Sequence, residues 1–257
     1  MSDRKFAIVT GGSRGIGQGV SVHLARLGFD VAVLDREPAE ATCSAVRELG
    51  ADAWSVQADV SDPRQVEDAF EAFTQARGAP DVLVNVAGVY FEGSVYDTAV
   101  EDWDEVMAVN ARGTFLCSKS AALRMRGAHT GRIINILSTA AAQGFRNNAA
   151  YCASKGAALL FTRALATDLA ADGITVNAVA PGTIQTTMGD AYLANPAIAA
   201  DDLAHTPLGR FGTVADVAEA VGWLATGARW MTGAVIVVDG GFLASGSPNP
   251  QQEEAHR

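Results

Sequence analysis

The sequence predicts an α/β fold, a doubly wound parallel sheet of about seven strands with helices on both faces. Two observations carry this. Short apolar, β-branched runs alternate along the chain with longer stretches of helical period. The strand runs are apolar at consecutive positions rather than at every second one, as strands covered on both faces must be. No Pro/Gly/Ser-rich linker interrupts the alternation and no internal repeat is present, so residues 1–243 read as one domain.

In order, the expected strands are "FAIVT" from residue 6, "VAVLD" from 31, "AWSVQ" from 53, "DVLVN" from 81, "RIINILS" from 132, "ITVNAVA" from 174 and "AVIVVDG" from 234. Helical spacing fills 16–28, 39–49, 63–77, 101–126, 149–171 and 214–226. Two segments break the rhythm. Residues 183–213 contain Pro196 and Pro207, lack a strand and read as a lid over a site, and 244–257 have the composition of a flexible tail.

The 257 residues are 49% hydrophobic, enough for a sizeable core without disulfide staples. A formal net charge of −10 disfavours nucleic acid and anionic membrane surfaces as partners. No apolar run reaches the length of a membrane span, and "MSDRKFAIVT" is too short for a secretory core before the glycines begin, so a cytoplasmic protein is expected. Cys43, Cys117 and Cys152 are scattered, with no CxxC, and read as reduced, buried residues. Asp201, Asp202 and His205 have helical spacing but read as a solvated helix face, and no metal site is expected. Trp223 and Trp230 read as core or interface aromatics.

"FAIVTGGSRGIGQGV" is strand, glycine turn, helix. Gly11, Gly15 and Gly17 allow a tight turn and close backbone approach to a pyrophosphate, with the helix N-terminus facing the anion, a Rossmann-type arrangement. Asp35, ending the second strand, stands where a carboxylate accepts hydrogen bonds from the adenosine ribose and repels a 2′-phosphate. Arg14 and Arg36 could pair with such a phosphate. The carboxylate weighs more, and NAD is expected over NADP.

Tyr151 and Lys155 in "YCASK" are four residues apart, on one helix face. A free phenol has a pKa of about 10, so a phenolate base working near neutrality needs about two to three units of lowering, which a nearby cation supplies.

In their order along nearly the whole chain these motifs resemble those of the short-chain dehydrogenase/reductase family. The family's TGxxxGxG is matched by Thr10-Gly11-Gly12-Ser13-Arg14-Gly15-Ile16-Gly17, and its YxxxK by Tyr151 and Lys155. Asp59 and Val60 resemble the pair beside the adenine ring. Asn85-Val86-Ala87-Gly88 resembles NNAG, departing at the second position. Pro181-Gly182 resembles the PG motif, after which Ile184 and Thr186 correspond to nicotinamide contacts. The resemblance implies catalytic roles for Asn110, Ser138, Tyr151 and Lys155. Tyr151 would be the general acid/base and Ser138 a donor to the reacting oxygen, while Asn110 would hold a water that relays protons from Lys155. Tyr151 and Lys155 would also touch the cofactor. A homotetramer built on 101–126, 149–171 and the last strand is implied as well. Singly, Ser138 reads as a strand-end cap and Asn110 as a kink; in this order they read as a site.

Substrate belongs beyond the carboxyl ends of the strands. Wall candidates are Val89, Tyr90 and Phe91, then Ala140, Gln143 and Phe145 within 139–145, then Met188, Tyr192 and Leu193 in the lid, with Arg146 and Asn147 as polar exceptions. This mostly apolar set points to a small or medium secondary alcohol or ketone. The enzymatic alternative is an NADPH-dependent reductase of 3-oxoacyl groups on an acyl carrier protein, for which Arg124, Arg126 and Arg132 are the basic docking candidates. The non-enzymatic alternative is a dinucleotide-binding regulator, normally marked by loss of Tyr, Lys or Ser, all present here. A serine hydrolase is excluded by the absence of GxSxG around Ser138.

Overall fold

The computed structural model describes residues 4–245, without the side chains of residues 190–192. Seven strands form where the apolar runs stand: β1 (Lys5–Thr10), β2 (Phe29–Asp35), β3 (Ala53–Gln57), β4 (Val82–Asn85), β5 (Gly131–Ile136), β6 (Ile174–Pro181) and β7 (Val235–Val238). They make one sheet in the order β3-β2-β1-β4-β5-β6-β7, parallel at every pairing. The chain winds outward from β1 to β3, then returns to start its second half at β4 beside β1. That reversal leaves a crevice at the carboxyl ends of β1 and β4.

Consecutive apolar residues in the strands feed two cores. Val9, Val31 and Val33 face helices α1 (Gly15–Arg26), α2 (Glu40–Arg47) and α9 (Val214–Thr226). Phe6, Ile8 and Leu34 face α3 (Pro63–Arg77) and α5 (Thr114–Met125), where Phe70, Phe73 and Met125 are fully buried. Period-two side-chain direction with both faces covered is why these strands show no polar alternation. Asp62 starts α3 by accepting from the N–H groups of Arg64 and Gln65, with Pro63 at the first helical position. At the amino ends of the strands, opposite the crevice, the fully buried Asp30 holds Arg4 at 3.2 Å and Arg77 at 2.9 Å.

The stretch expected as one helix over 101–126 is divided. α4 (Val100–Met107) passes through a π-helical turn, Ala108–Gly113, into α5. The turn contains Asn110, whose side chain is fastened to the loop after β4, and such single π turns recur at functional sites. The α6 helix (Ala149–Leu169) carries Tyr151 and Lys155. The segment 183–213 holds α7 (Thr187–Leu193) and α8 (Pro196–Ala204), and an isolated bridge between Ile184 and Gly212 ties its ends together. Residues 246–257 of the expected tail lie outside the described residues. Before them, Phe242–Ala244 form a 3₁₀ turn.

Of the two readings open for Trp223 and Trp230, core or interface, exposure (47% and 102%) on the outer side of α9 and just after it removes the first. Two local readings change. Cys152 is only half-buried, since its place on the first turn of α6 points Sγ at the Gln143 carbonyl, 3.8 Å away. Asp202 is buried rather than solvated, because Thr183 donates to it at 2.6 Å. No helix among the described residues is long and apolar enough to cross a membrane.

Candidate active site

The carboxyl ends of the strands open on a cleft of about 660 Å³. At one end stands the glycine turn. Thr10 Oγ1 accepts from the N–H groups of Val86 and Ala87 at 3.1 and 3.2 Å, stitching the ends of β1 and β4 together. Gly11 follows with φ +64°, and a Cβ there would lie 2.7 Å from Ala87 Cα, so the approach requires glycine. A Cβ on Gly17 would strike the Gly11 carbonyl oxygen. α1 then starts from an extended Arg14 with no side chain capping it, so its first N–H groups, at Gly15, Ile16 and Gly17, meet the cleft. Asp35 lines the same end and is fixed by the N–H groups of Ser13 (2.9 Å) and Glu37 (3.0 Å). Arg36 leans on Asp59 at 3.8 Å, and Arg14 is exposed. A turn that no side chain can occupy, open helical donors for a diphosphate and a rigid carboxylate for ribose hydroxyls together fit a nicotinamide dinucleotide.

Ser13, Asp59, Val60, Ala87 and Gly88 line this part of the cleft, and so do Pro181, Gly182, Ile184 and Thr186 after β6. Asn85 does not. As the last residue of β4 it turns inward, donating to Ser118 Oγ at 3.0 Å and Asn135 Oδ1 at 2.8 Å.

In the middle of the cleft Ser138, Tyr151 and Lys155 come together. Ser138 is extended after β5, caps the short turn 139–141 through the Ala140 N–H at 3.2 Å, and is hydrogen-bonded to the Tyr151 hydroxyl. Lys155 is buried, donates to the Ile136 carbonyl at 3.0 Å, and lies 5.6 Å from the centre of the Tyr151 ring. Burial draws its ammonium down to about 8. Burial pushes the Tyr151 phenol up to about 12, and the Ser138 hydrogen bond acts in the opposite sense. The phenol is therefore a neutral proton donor at neutral pH. Tyr90 packs edge-on against Tyr151, ring centres 5.2 Å apart.

Asn110 lies off the cleft. Its Oδ1 accepts from the Val89 N–H at 2.8 Å, and its Nδ2 donates to the Val89 carbonyl (2.9 Å) and Ser154 Oγ (3.0 Å). These side-chain bonds tie the loop after β4 to α6.

At the far end Ala140, Phe145 and Met188 line the cleft. Gln143 does not, being exposed at the outer side of the loop. The side chain of Tyr192 lies outside the described residues. Among the lining residues that escaped sequence reasoning are Asn148 at the N-cap of α6, Asp202 and Phe242. The "DGGF" at 239–242 carried a signal for the last, a turn with two left-handed glycines delivering an aromatic.

This fold and cleft define a dinucleotide-dependent oxidoreductase site. The chain belongs to the short-chain dehydrogenase/reductase family: a family model described as enoyl-(acyl carrier protein) reductase matches residues 11–243. Over 224 residues it is 45% identical to a Xanthobacter autotrophicus protein named inactive 2-(S)-hydroxypropyl-CoM dehydrogenase 2, covering 85% of this chain and 97% of that one. It is 38% identical over 246 residues to the Staphylococcus aureus 3-oxoacyl-(acyl-carrier-protein) reductase FabG, covering 94% and 99%. A crystal structure with bound NADP, assigned to an Agrobacterium tumefaciens 2-deoxy-D-gluconate 3-dehydrogenase, superposes with TM-score 0.87 at 35% identity, covering 93% and 96%. The protein is thus an oxidoreductase of the alcohol/ketone type in a family that binds NAD(P).

Proposed function

We propose that the protein is an NAD-dependent dehydrogenase/reductase that interconverts a small or medium secondary alcohol and its ketone, with Tyr151 as general acid/base. The observation that carries this is the grouping of Ser138, Tyr151 and Lys155 in the same cleft as the glycine turn and Asp35. When bound, the nicotinamide accepts hydride from the carbinol carbon or supplies it to the carbonyl carbon. In the reductive direction the neutral Tyr151 phenol gives its Oη proton to the carbonyl oxygen; in the oxidative direction Tyr151 must first be a phenolate, which the Lys155 ammonium and the positive charge of a bound oxidised nicotinamide would favour, and Oη then takes the proton of the substrate hydroxyl. Ser138 Oγ donates a hydrogen bond to that oxygen as charge develops on it. Lys155, protonated below about pH 8, is the cation this chain offers the phenolate. Asn110 acts as a positioning residue, through Val89 and Ser154. The test is dinucleotide reduction by the purified protein with a panel of secondary alcohols; no reduction of NAD or NADP with any of them overturns the reading.

The choice of NAD rests on Asp35, oriented by two N–H groups, and on the engagement of Arg36 with Asp59. Asp35→Ala is expected to lower the ratio of kcat/KM with NAD to that with NADP by about tenfold, one charge-assisted hydrogen bond's worth. An unchanged ratio removes Asp35 from this role.

A second reading, an NADPH-dependent 3-oxoacyl-(acyl carrier protein) reductase, is favoured by the Staphylococcus aureus relative. Against it, the basic candidates are committed within the chain. Arg124 pairs with Glu67 at 2.8 Å, Arg126 with Asp172 at 3.8 Å, and Arg132 donates to the Leu224 carbonyl. The name of one relative records inactivity, so family membership alone does not carry turnover. What argues for turnover is that Ser138, Tyr151 and Lys155 are all present and grouped.

The same reading makes the protein a cytoplasmic homotetramer. Three free cysteines support a reducing compartment. Exposed Phe115, Leu123 and Leu160 on α5 and α6, with Trp230 shortly before the edge strand β7 and Val237 within it, support apolar self-association. Sedimentation of the full chain is expected to give a mass of four chains; a monomer overturns this.

A further inference from the structure

Beyond the triangle of Ser138, Tyr151 and Lys155, the cleft continues to a wall with a definite chemistry. The rings of Phe145 and Phe242 stack there, 6.0 Å apart and 28° from parallel, and both line the cleft. His205 backs Phe242 at 6.4 Å. The two phenylalanines come from distant parts of the chain. Phe145 stands in the loop before α6, whereas Phe242 is delivered by Gly240 and Gly241, both at positive φ. Asp239 clasps that turn, accepting from the N–H groups of Gly241 and Leu243, each at 2.8 Å. The ring is thus held before any substrate arrives. Tyr90, packed edge-on against Tyr151, adds a further aromatic ring to the lining.

The charges around this compartment are equally definite. Among the described residues, the cations lining the cleft are Arg14, Arg36 and Lys155. The first two belong to the glycine turn and the end of β2, and the third is the partner of Tyr151. Asp202 is the acidic group at the substrate end, buried and accepting from Thr183. Arg146 is exposed and outside the lining. An anionic substituent carried into this compartment would lose its water beside a carboxylate without meeting a cation.

Resting on the alcohol/ketone reading above, we infer that the substrate is an uncharged ketone or secondary alcohol bearing a planar, apolar arm, and that Phe242 determines this specificity by stacking on the arm together with Phe145. The carbonyl oxygen lies at Ser138 and Tyr151, and the arm lies along the phenylalanine wall. Offset ring contacts of this kind are the geometry aromatic groups prefer.

The experiment compares three ketones with the full-length protein and reduced dinucleotide: acetophenone, its anionic analogue 4-acetylbenzoate, and 2-butanone, which has no ring. The expected kcat/KM for acetophenone exceeds that for 4-acetylbenzoate by at least about tenfold. The ratio of acetophenone to 2-butanone is expected to fall about tenfold in Phe242→Ala and about threefold in Phe242→Leu, through KM. The leucine variant keeps the bulk, so the measurement stands even where the alanine variant folds poorly. Equal use of 4-acetylbenzoate and acetophenone, or a ratio unmoved in Phe242→Leu, overturns the inference while the oxidoreductase reading survives. Silence with all three ketones, alongside oxidation of some other secondary alcohol, also overturns it alone. Silence with every ketone and secondary alcohol tested, with either dinucleotide, removes the oxidoreductase reading as well.

Discussion

Replacing Tyr151 with Phe is expected to lower kcat/KM by at least about 10³-fold in both directions, the upper part of the range for loss of a general acid/base. The substitution removes one oxygen and keeps the ring, so the edge-on contact with Tyr90 at 5.2 Å survives and the cleft keeps its shape. Ser138 retains its bond from the Ala140 N–H, and the glycine turn and Asp35 are untouched. Fluorescence titration with NADH should therefore give a dissociation constant within about twofold of the parent protein. Tyr90 provides a demanding internal control, because it places a second phenol in the same cleft. Its hydroxyl is directed at Glu92, 3.4 Å away, and burial together with that carboxylate pushes it up to about 12. The Glu92 carboxylate disfavours forming the Tyr90 phenolate, whereas the Ser138 hydrogen bond and the Lys155 ammonium act to favour that of Tyr151. Tyr90→Phe is accordingly expected to keep kcat within about fivefold. Comparable activity in Tyr151→Phe and the parent would remove Tyr151 from the chemistry, and a large loss in Tyr90→Phe alone would transfer the role.

The parts of the site legible in the sequence are those whose chemistry is packed into a few consecutive residues. The glycine turn had to be glycine because Gly11 meets Ala87 backbone and Gly17 meets Gly11, and a requirement that strict leaves a mark at fixed spacing. Tyr151 and Lys155 share one helix face for the same reason. The sheet was legible because burial on both faces leaves uninterrupted apolar runs. Side-chain direction at the end of an element was not legible. Asn85 stands inside a motif yet points into the core, and Gln143 stands in a wall loop yet faces outward. Nor were pairings between distant segments, because nothing near Phe145 announces Phe242 and nothing near Asn110 announces Val89. The π turn follows from the second of these, since local propensity contains no term for a side chain bound to a loop from β4. Asp202 shows the same limit: helical spacing suggested a solvated face, but Thr183, reached only through the fold, buries it.

Lys155 is where function and stability oppose each other most directly. Lys155 is about 6% exposed, its ammonium donates to the Ile136 carbonyl, and burial draws it from 10.5 to about 8. At pH 7 the native state carries this charge in a poorly solvating place, while the unfolded chain holds it in water. A shift of that size amounts to about 3 kcal/mol against folding, and the lost hydrogen bond to Ile136 returns about 1 kcal/mol. Lys155→Met, of similar length and uncharged, should therefore be more stable at pH 7 by roughly 2 kcal/mol, or roughly 4–8 °C in melting temperature for a chain of this size. The pH dependence gives the sign. Between about 8 and 10.5 the folded lysine is neutral and the unfolded one charged, so the native state binds fewer protons and this group's contribution to stability rises with pH. The advantage of Lys155→Met should shrink and be lost within that window, and above it the variant should be less stable than the parent by about 1 kcal/mol, the missing hydrogen bond. The same variant should lose at least about 10²-fold in turnover, because the phenolate of Tyr151 no longer has a cation 5.6 Å from its ring. Melting curves at pH 7 and pH 9.5, with kcat at pH 7, check both halves. A variant less stable than the parent at pH 7 would mean that the ammonium is compensated by groups other than the Ile136 carbonyl. Retained turnover would mean that the proton chemistry does not depend on Lys155. The expected pattern, a dead enzyme that melts later, is the signature of a charge kept buried for catalysis at the expense of the fold.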